Sequence, residues 1–362
     1  MTTRANFSSP TKEILAKRAG YMCSFPGCTV ITTGPSTESP SGVSNSGMAC
    51  HIYAAAPGGC ARRVSTMRTK EQLEDVSNGI WMCYQHGKII DTDEDAYTAD
   101  MLFTWKKFAE LRANLSNTLG RVVELTPGHL KEVALPEQTL QITSLGEENQ
   151  IIGTAIRNSC LELIWGKMQA RATRDTLIEL IRNALSHGKA TNAVINIRST
   201  CIELIDNGNR FDSTTLISIS GGRGGSTSLA ALQKRHGATI ILDSKYCSGK
   251  NLNRITLVRK PEDIPEATPC NISITLDRAS AQTIHRQVQT MTDCDSIYVL
   301  LPEYLTCSDA IGFRNSNGQI LNSGKRIILV GNELSEQVVK ELQKLGHQVE
   351  IMNFDDQTPS AL

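Results

Sequence analysis

The sequence predicts an α+β protein of several domains, and three observations support this fold class. The chain has 362 residues, which is more than one ordinary domain contains. Hydrophobic residues make up 40% and charged residues 20%, as in chains that bury a core. Cysteine pairs concentrate in the first third, whereas strand and helix patterns alternate in the rest. We therefore expect a small cysteine-rich module followed by two α/β units.

The charge balance and the hydropathy pattern exclude several classes of protein. Lys+Arg and Asp+Glu each number 37, so no global field attracts the chain to nucleic acid or to an anionic membrane. No run of about eighteen apolar residues occurs, and the first seven residues lack the apolar core of a signal peptide. We expect a cytoplasmic protein with no membrane partner. In that reducing compartment, 11 cysteines favour metal ligation over a disulfide framework.

Four residues in the first third have the spacing of a structural zinc site. Cys23 and Cys28 form one tight pair, and Cys83 and His86 form a second pair at knuckle spacing. Three thiolates and one imidazole complete a tetrahedral Zn²⁺ site with no open position. The alternative is that buried free cysteines lie near an unrelated histidine. Residues 33–47, which separate the pairs, are rich in Gly, Ser and Pro and predict a flexible loop.

A second set of residues follows a specific order around the same pairs. Cys50 and His51 lie between the pairs, Asn78 precedes the second pair, and Asp91 follows it. This order resembles that of the zinc-stapled HNH endonucleases, the ββα-metal family. The resemblance implies that His51 is the general base for water and that Asn78 orients His51 or its loop. It also implies one divalent cation, Mg²⁺, held by Asp91 beside the scissile phosphate.

Two positions depart from the family pattern. Cys50 stands where an Asp or His ligand usually precedes the base, and Gly87 stands where a His commonly follows the second pair. Because loss of a direct metal ligand usually abolishes hydrolysis, an active nuclease and a fold retained for binding both stay open. A basic cluster, which can contact phosphates or simply face solvent, follows the Gly-Gly turn: Arg62, Arg63, Arg68 and Lys70.

Three polar motifs follow one another in the middle of the chain. The helix predicted over residues 173–186 carries Glu179 and Asn183 one turn apart on one face. The strand predicted over residues 200–205 ends in an Asp-Asn-Gly sequence at Asp206. A glycine-rich loop precedes the helix predicted over residues 229–236. Glycines before a helix allow backbone N–H groups to close on an anion, and the helix N-terminus adds partial positive charge.

These motifs resemble the N box and the two glycine boxes of the GHKL ATPases over residues 145–260. The resemblance implies that Asp206 binds adenine and that Gly208, two residues further on, belongs to the same nucleotide-binding motif. It also implies that Asn183 ligates Mg²⁺ and that Glu179 activates the lytic water. Arg210 departs from the family pattern, in which a second glycine is usual. A histidine kinase would need an acceptor histidine upstream, and residues 145–178 contain none. The residues expected to wrap the phosphates of ATP are Gly221, Gly222, Gly224, Gly225 and Ser226.

The last third predicts a small, partly parallel α/β domain. Three prolines in residues 261–269 indicate a linker. Beyond it, strands predicted over residues 271–276, 296–301, 326–330 and 347–352 alternate with helices over 279–291 and 335–345. Cys294, Cys307 and Asp309 lack ligand spacing, which favours a core or loop role. The predicted domains are 1–114 (HNH-like), 115–144 (connector), 145–260 (GHKL-like) and 270–362 (C-terminal).

This organisation predicts an ATP-binding GHKL ATPase that gates an HNH-like, metal-dependent DNA endonuclease. Nucleotide binding would join chains into a homodimer or larger homo-oligomer and bring two modules together on double-stranded DNA. Fusion of a nuclease to a switch suggests, by analogy, bacterial antiviral defence. The alternative is a catalytically silent zinc module that binds nucleic acid or a partner, with the ATPase as the conformational switch. The expected cofactors are ATP, Mg²⁺ and Zn²⁺.

Overall fold

A computed structural model describes residues 4–58, 61–126, 129–130, 133, 138–218, 225–237, 239–275, 278–317, 324–346 and 349–354. Over these residues helices accompany several sheets, which confirms the predicted mixture of α and β structure. The chain divides into two compact units. The first comprises residues 1–139, 146–174 and 196–199, and the second comprises residues 140–145, 175–195 and 200–362. None of the described helices is both long and apolar enough to span a bilayer.

The first unit contains a ββα arrangement. Strands β3 (Gly47–His51) and β4 (Gly79–Cys83) pair antiparallel, and β4 leads directly into helix α3 (Tyr84–Ile90). Every residue of β4 is buried, because its sequence is apolar without polar alternation. The other α-helices and strands of residues 4–126 are α1 (Ser9–Arg18), β1 (Thr33–Pro35), β2 (Val43–Asn45), α2 (Lys70–Glu74) and α4 (Ala99–Leu119).

Helix boundaries in this unit follow from local chemistry. The Ser8 side chain caps α1 by accepting from the Thr11 N–H, and Thr98 caps α4 in the same way. Helix α4 ends at Gly120, whose φ of 65° suits glycine. The prediction of a flexible loop over residues 33–47 was wrong, because β1 and β2 pair antiparallel there. A turn closed by the Ser36 N–H and the Gly42 carbonyl joins the two strands.

A five-stranded sheet has the order β5-β6-β7-β9-β8. Its strands are β5 (Gln138–Ile142), β6 (Ala193–Ile197), β7 (Cys201–Asp206), β8 (Ile240–Cys247) and β9 (Lys250–Leu257). Strands β7 and β8 both pair antiparallel with β9. Neither β5, within the predicted connector, nor β9 is predicted from the sequence. The start of β9 carries Asn251 and Asn253, and asparagine is depleted in strands.

Helices α5 (Glu148–Asn158), α6 (Leu161–Trp165) and α7 (Lys167–Arg182) precede β6. The first two of these helices are separate because the chain turns at Cys160, whose φ is 54°. Helix α7 continues directly into one π-helical turn, Asn183–His187. Such turns widen a helix and are frequent at functional sites. A 3₁₀ turn, Ser213–Ser218, and helix α8 (Gly225–His236) follow β7.

The last part of the chain forms a parallel sheet in sequence order. Its strands are β10 (Asn271–Ser273), β11 (Ser296–Leu300), β12 (Arg326–Asn332) and β13 (Val349–Phe354). Helices α10 (Arg278–Thr290), α11 (Cys307–Asn317) and α12 (Glu336–Gln343) connect successive strands. One face of the sheet contributes Ile297, Val299 and Leu329 to a core that includes Val338 and Leu342 of α12.

The predicted linker over residues 261–269 was wrong, because this segment folds and buries Pro261, Ile264, Ala267 and Thr268. It forms a 3₁₀ turn, Pro261–Asp263, and the short helix α9 (Ile264–Ala267). Proline fits the first turn of a helix, where its missing N–H has no intrahelical partner. Ile264 is fully buried in a cluster with Ile241 and Tyr298. Nearby, Cys270 and Cys294 form a disulfide at the starts of adjacent strands β10 and β11.

Candidate functional site

The four predicted zinc ligands lie together. The ligand atoms of Cys23, Cys28, Cys83 and His86 all lie within 4.8 Å of one another. His86 Nδ1 is 3.4 Å from Cys23 Sγ and 3.3 Å from Cys83 Sγ. Bond lengths of about 2.3 Å to sulfur and 2.0 Å to nitrogen place tetrahedral Zn²⁺ ligands about 3.5 Å apart. The cluster therefore fits a metal ion such as Zn²⁺.

The surrounding structure fixes the orientation of these ligands. Cys83 ends β4 and His86 lies in the first turn of α3, so the change from strand to helix turns both side chains to one point. The His86 ring stacks on Phe25, with centroids 4.0 Å apart. Arg112 of α4 donates to the Cys23 carbonyl at 2.9 Å. Burial raises the pKa of the Cys23 thiol to about 12, so metal binding there must displace a proton.

His51, the predicted general base, lies at the end of β3 beside a cavity of about 460 Å³. Its ring stacks on Phe7 at 3.8 Å between centroids. Nε2 is buried and has no hydrogen-bond partner among the described residues. Burial lowers the pKa of His51, and a hydrogen bond to the Ala5 backbone opposes this shift. The ring is therefore neutral at pH 7, which a general base requires.

Asn78 holds the loop that follows His51. Its Oδ1 accepts from the Tyr53 N–H at 2.9 Å, and its Nδ2 donates to the Tyr53 carbonyl at 3.0 Å. The Asn78 carbonyl accepts from the Ile52 N–H at 2.8 Å. All of these partners are backbone groups of the loop, so Asn78 positions His51 through the backbone.

Asp91 is held by an arginine. Its Oδ1 accepts from Arg63 Nη2 at 3.0 Å, and the Arg63 side chain is 4% exposed. The same guanidinium donates to the carbonyls of Ile52, Ile90 and Tyr97. The Asp91 side chain itself is 52% exposed and lines the His51 cavity, so Arg63 balances its charge without enclosing it. Within the described ranges, three or more His, Cys or acidic side chains converge only at the zinc cluster.

The two positions that depart from the HNH pattern are packed against each other. A Cβ on Gly87 would lie 2.6 Å from Met48 Sδ and 2.9 Å from Cys50 Sγ. Cys50 is buried, and this burial raises the pKa of its thiol. A neutral thiol and a thioether are soft groups, whereas Mg²⁺ prefers oxygen ligands. The residues at these positions do not fit Mg²⁺.

Most of the predicted basic cluster already has partners within the unit. Arg63 is buried as described above. The Arg68 guanidinium lies 4.6 Å from the centroid of the Tyr53 ring, and Lys70 pairs with an acidic side chain one helical turn further along. Arg62 lines the His51 cavity, and its Nε is buried without a partner among the described residues. The cluster is therefore not a continuous free surface for phosphates.

A second cavity, of about 320 Å³, lies in the second unit. This volume is in the range of small-molecule sites. It brings together residues from the π-helical turn, the end of β7 and the start of β9. The lining residues are Leu180, Asn183, Ala184, His187, Gly188, Asp206, Asn209, Arg210, Phe211, Leu216, Asn251 and Asn253.

Asp206 is 4% exposed and lines this cavity. Oδ1 accepts from the Gly208 N–H and from Asn251 Nδ2, both at 2.9 Å. Among the described residues, these are the two hydrogen bonds that the carboxylate receives, and Oδ2 is left for a ligand. A carboxylate oxygen in a mostly apolar cavity is a directional acceptor for an N–H group.

Of the two predicted N-box residues, Asn183 lines the cavity and Glu179 does not. Asn183 lines the cavity, and its carbonyl accepts from the Gly188 N–H at 2.8 Å within the π-helical turn. Glu179 is not among the lining residues and pairs with Arg182, Nη1 to Oε1, at 3.0 Å. Arg210 lines the cavity, and its guanidinium lies 5.8 Å from the Tyr246 ring centroid.

Two of the five predicted glycine-rich-loop residues are among the described residues. Gly221, Gly222 and Gly224 lie outside the described residues. Gly225 and Ser226 begin helix α8. The predicted phosphate contacts of all five residues therefore stay predictions.

Gly208 is required by close packing. A Cβ at this position would lie 2.8 Å from the Gly188 carbonyl oxygen and 2.9 Å from Asp206 Oδ1. We expect Gly208→Ala to displace the loop, to destabilise the fold by about 1–3 kcal/mol and to weaken ligand binding in the cavity. Thermal unfolding and calorimetric titration with ATP measure both effects. Gly153→Ala is the control, because its Cβ has open space and the change lies within helix α5.

The lining residues that sequence reasoning missed include the polar side chains of His187, Asn251 and Asn253. Asn251 and Asn253 alternate on β9, so both point to the same face of the sheet. That Asn-x-Asn spacing was the available signal. Comparison of the chain with protein-family models, curated proteins and solved structures gave no match. The assignment of function therefore rests on the geometry of the two cavities and the metal cluster.

Proposed function

We propose that the chain is an ATP-binding protein of the GHKL type. The observation that carries this proposal is the Asp206 carboxylate, which lines the cavity and whose Oδ1 accepts both of its hydrogen bonds from the described residues, so that Oδ2 stays available to a ligand. The 6-amino group of adenine donates to such an oxygen, whereas a 6-oxo group does not. Apolar groups of Leu180, Phe211 and Leu216 provide the surroundings that a purine ring needs.

Asn183 is the residue that would hold magnesium. It lines the same cavity as Asp206, and an amide oxygen is a suitable ligand for Mg²⁺. The ion would neutralise the phosphates of the bound nucleotide. Hydrolysis further requires Glu179 to leave Arg182 and contact water, so an ATPase reaction includes a change at this ion pair.

A specific observation favours the binding alternative for the N-terminal module. Arg63 pairs with Oδ1 of Asp91, and Met48 and Cys50 fill the space at Gly87. A ββα-metal nuclease uses a divalent cation beside its histidine, and a carboxylate already paired with a guanidinium attracts such a cation less strongly. We infer a zinc module that binds nucleic acid or a partner protein without cutting DNA, with the nucleotide site as the switch.

Calorimetric titration of the full chain with ATP, in Mg²⁺ and in EDTA, tests nucleotide binding. We expect binding of ATP and weaker binding of GTP. Phosphate release in the wild type, lost in Glu179→Gln while binding persists, would support the ATPase. No heat with ATP under either condition would overturn the proposal.

Plasmid incubated with the chain, ATP and Mg²⁺ or Mn²⁺ tests the module. We expect the plasmid to stay intact with the wild type and with His51→Ala alike. Cleavage by the wild type that His51→Ala abolishes would instead support the ATP-gated endonuclease.

A further inference from the structure

Asn251 is a buried side chain that no part of the predicted mechanism uses. It is 3% exposed and lies directly opposite Asp206 in the antiparallel register of β7 and β9. Its Nδ2 donates to Asp206 Oδ1 and to the Asn209 carbonyl, both at 2.9 Å. Its Oδ1 accepts from the Phe211 N–H, also at 2.9 Å. One amide thus joins the cavity carboxylate to the loop that follows it.

These contacts remove the rotational freedom of the Asp206 carboxylate. With the Gly208 N–H and Asn251 Nδ2 both directed at Oδ1, rotation would break two buried hydrogen bonds. A free carboxylate can present either oxygen, or both together, to paired donors such as those on the edge of guanine. A fixed carboxylate presents one acceptor in one direction.

We propose that Asn251 is a positioning residue that sets the nucleobase selectivity of the cavity. It holds Asp206 Oδ1, and only Oδ2 then receives a hydrogen bond, from a base with an exocyclic 6-amino group. This inference rests on the proposed function, since it concerns the same ligand. A 6-oxo base places lone pairs against Oδ2 and is rejected, because a buried acceptor facing an acceptor gains no hydrogen bond.

The test compares ATP with purine riboside triphosphate, which differs only by lacking the 6-amino group. Calorimetry on the full wild-type chain is expected to show roughly 10- to 100-fold tighter binding of ATP, the value of a hydrogen bond to a charged group. In Asn251→Leu, a substitution of similar volume, the ratio of the two affinities is expected to fall by at least about threefold, because the carboxylate keeps only the Gly208 N–H as a fixed donor. Inosine triphosphate, with its 6-oxo group, should gain relative to ATP in the same variant.

Thr256→Val is the matched control. Thr256 lies on the same strand and is also buried, but it is not among the residues that line the cavity. This variant should keep the preference for ATP over purine riboside triphosphate. If Asn251→Leu fails to fold, Asn251→Ser, which leaves room for water, carries the same comparison.

A uniform loss of affinity for both nucleotides in the Asn251 variants would overturn the inference, since a merely structural role predicts that result. An unchanged ratio would overturn it as well. Absence of nucleotide binding by the wild type would instead refute the proposed function, so the two failures are distinguishable.

Discussion

Replacing Cys83 with serine is expected to release the metal and unfold the N-terminal module. A serine hydroxyl does not ionise near neutral pH, so the site would keep three of its four ligands. Structural zinc contributes about 10–16 kcal/mol of apparent binding free energy in zinc-finger peptides. Cys83 also joins β4 to α3, so its loss affects both elements. We expect a loss of several kcal/mol, which lowers Tm by more than about 10 °C.

Elemental analysis and thermal unfolding of the purified chain check this result. One zinc per chain is expected in the wild type and close to none in Cys83→Ser. Cys160→Ser is the matched control, because Cys160 is also buried and free but lies outside the cluster. A chelator should lower the Tm of the wild type and leave that of Cys83→Ser unchanged. Retention of zinc by Cys83→Ser, with the Tm of the control, would contradict a structural metal site.

Asp206→Asn is expected to reverse the preference of the cavity for its base. The Gly208 N–H and Asn251 Nδ2 are both donors, so the new amide must turn its oxygen toward them. Its NH₂ group then faces the cavity, where it opposes the 6-amino group of adenine. We expect the affinity for ATP to fall roughly 100-fold or more, because a buried donor is left facing a donor.

Competition between ATP and inosine triphosphate measures this reversal directly. The 6-oxo group of inosine accepts from an amide, so its triphosphate should bind Asp206→Asn better than ATP does. Asp212→Asn is the control, since Asp212 lies in the same loop but is exposed and accepts from Thr214. Equal losses for both nucleotides would show that Asp206 supports the loop without contacting the base.

Where the sequence succeeded, the relevant geometry is local. Cys83 and His86 are three residues apart across the junction of β4 and α3, and that junction alone brings their ligand atoms together. The strand ending at Asp206 and the α-helix that ends at Arg182 also follow from apolar periodicity, whereas the π-helical turn that begins at Asn183 does not.

Where the sequence failed, the deciding contact is distant in the chain. The Arg63–Asp91 pair depends on the route of the loop between β3 and β4, which no periodicity encodes. The role of residues 261–269 depends on a buried cluster whose other members are Val258 and residues of β8, β11, β12 and β13. Proline content alone indicated a linker, whereas burial of Ile264 stabilises a folded segment.

The amino-acid sequence by itself predicted each of the two pairs of metal ligands and the strand that ends at Asp206. Each of these features depends on spacing within a few residues. Only the tertiary structure decided which oxygen of Asp206 meets the cavity, since that depends on the register that sets Asn251 opposite it. It likewise decided that Asp91 meets a guanidinium. Hydrogen-bond direction and charge pairing between distant segments are properties of packing, and a linear pattern does not contain them.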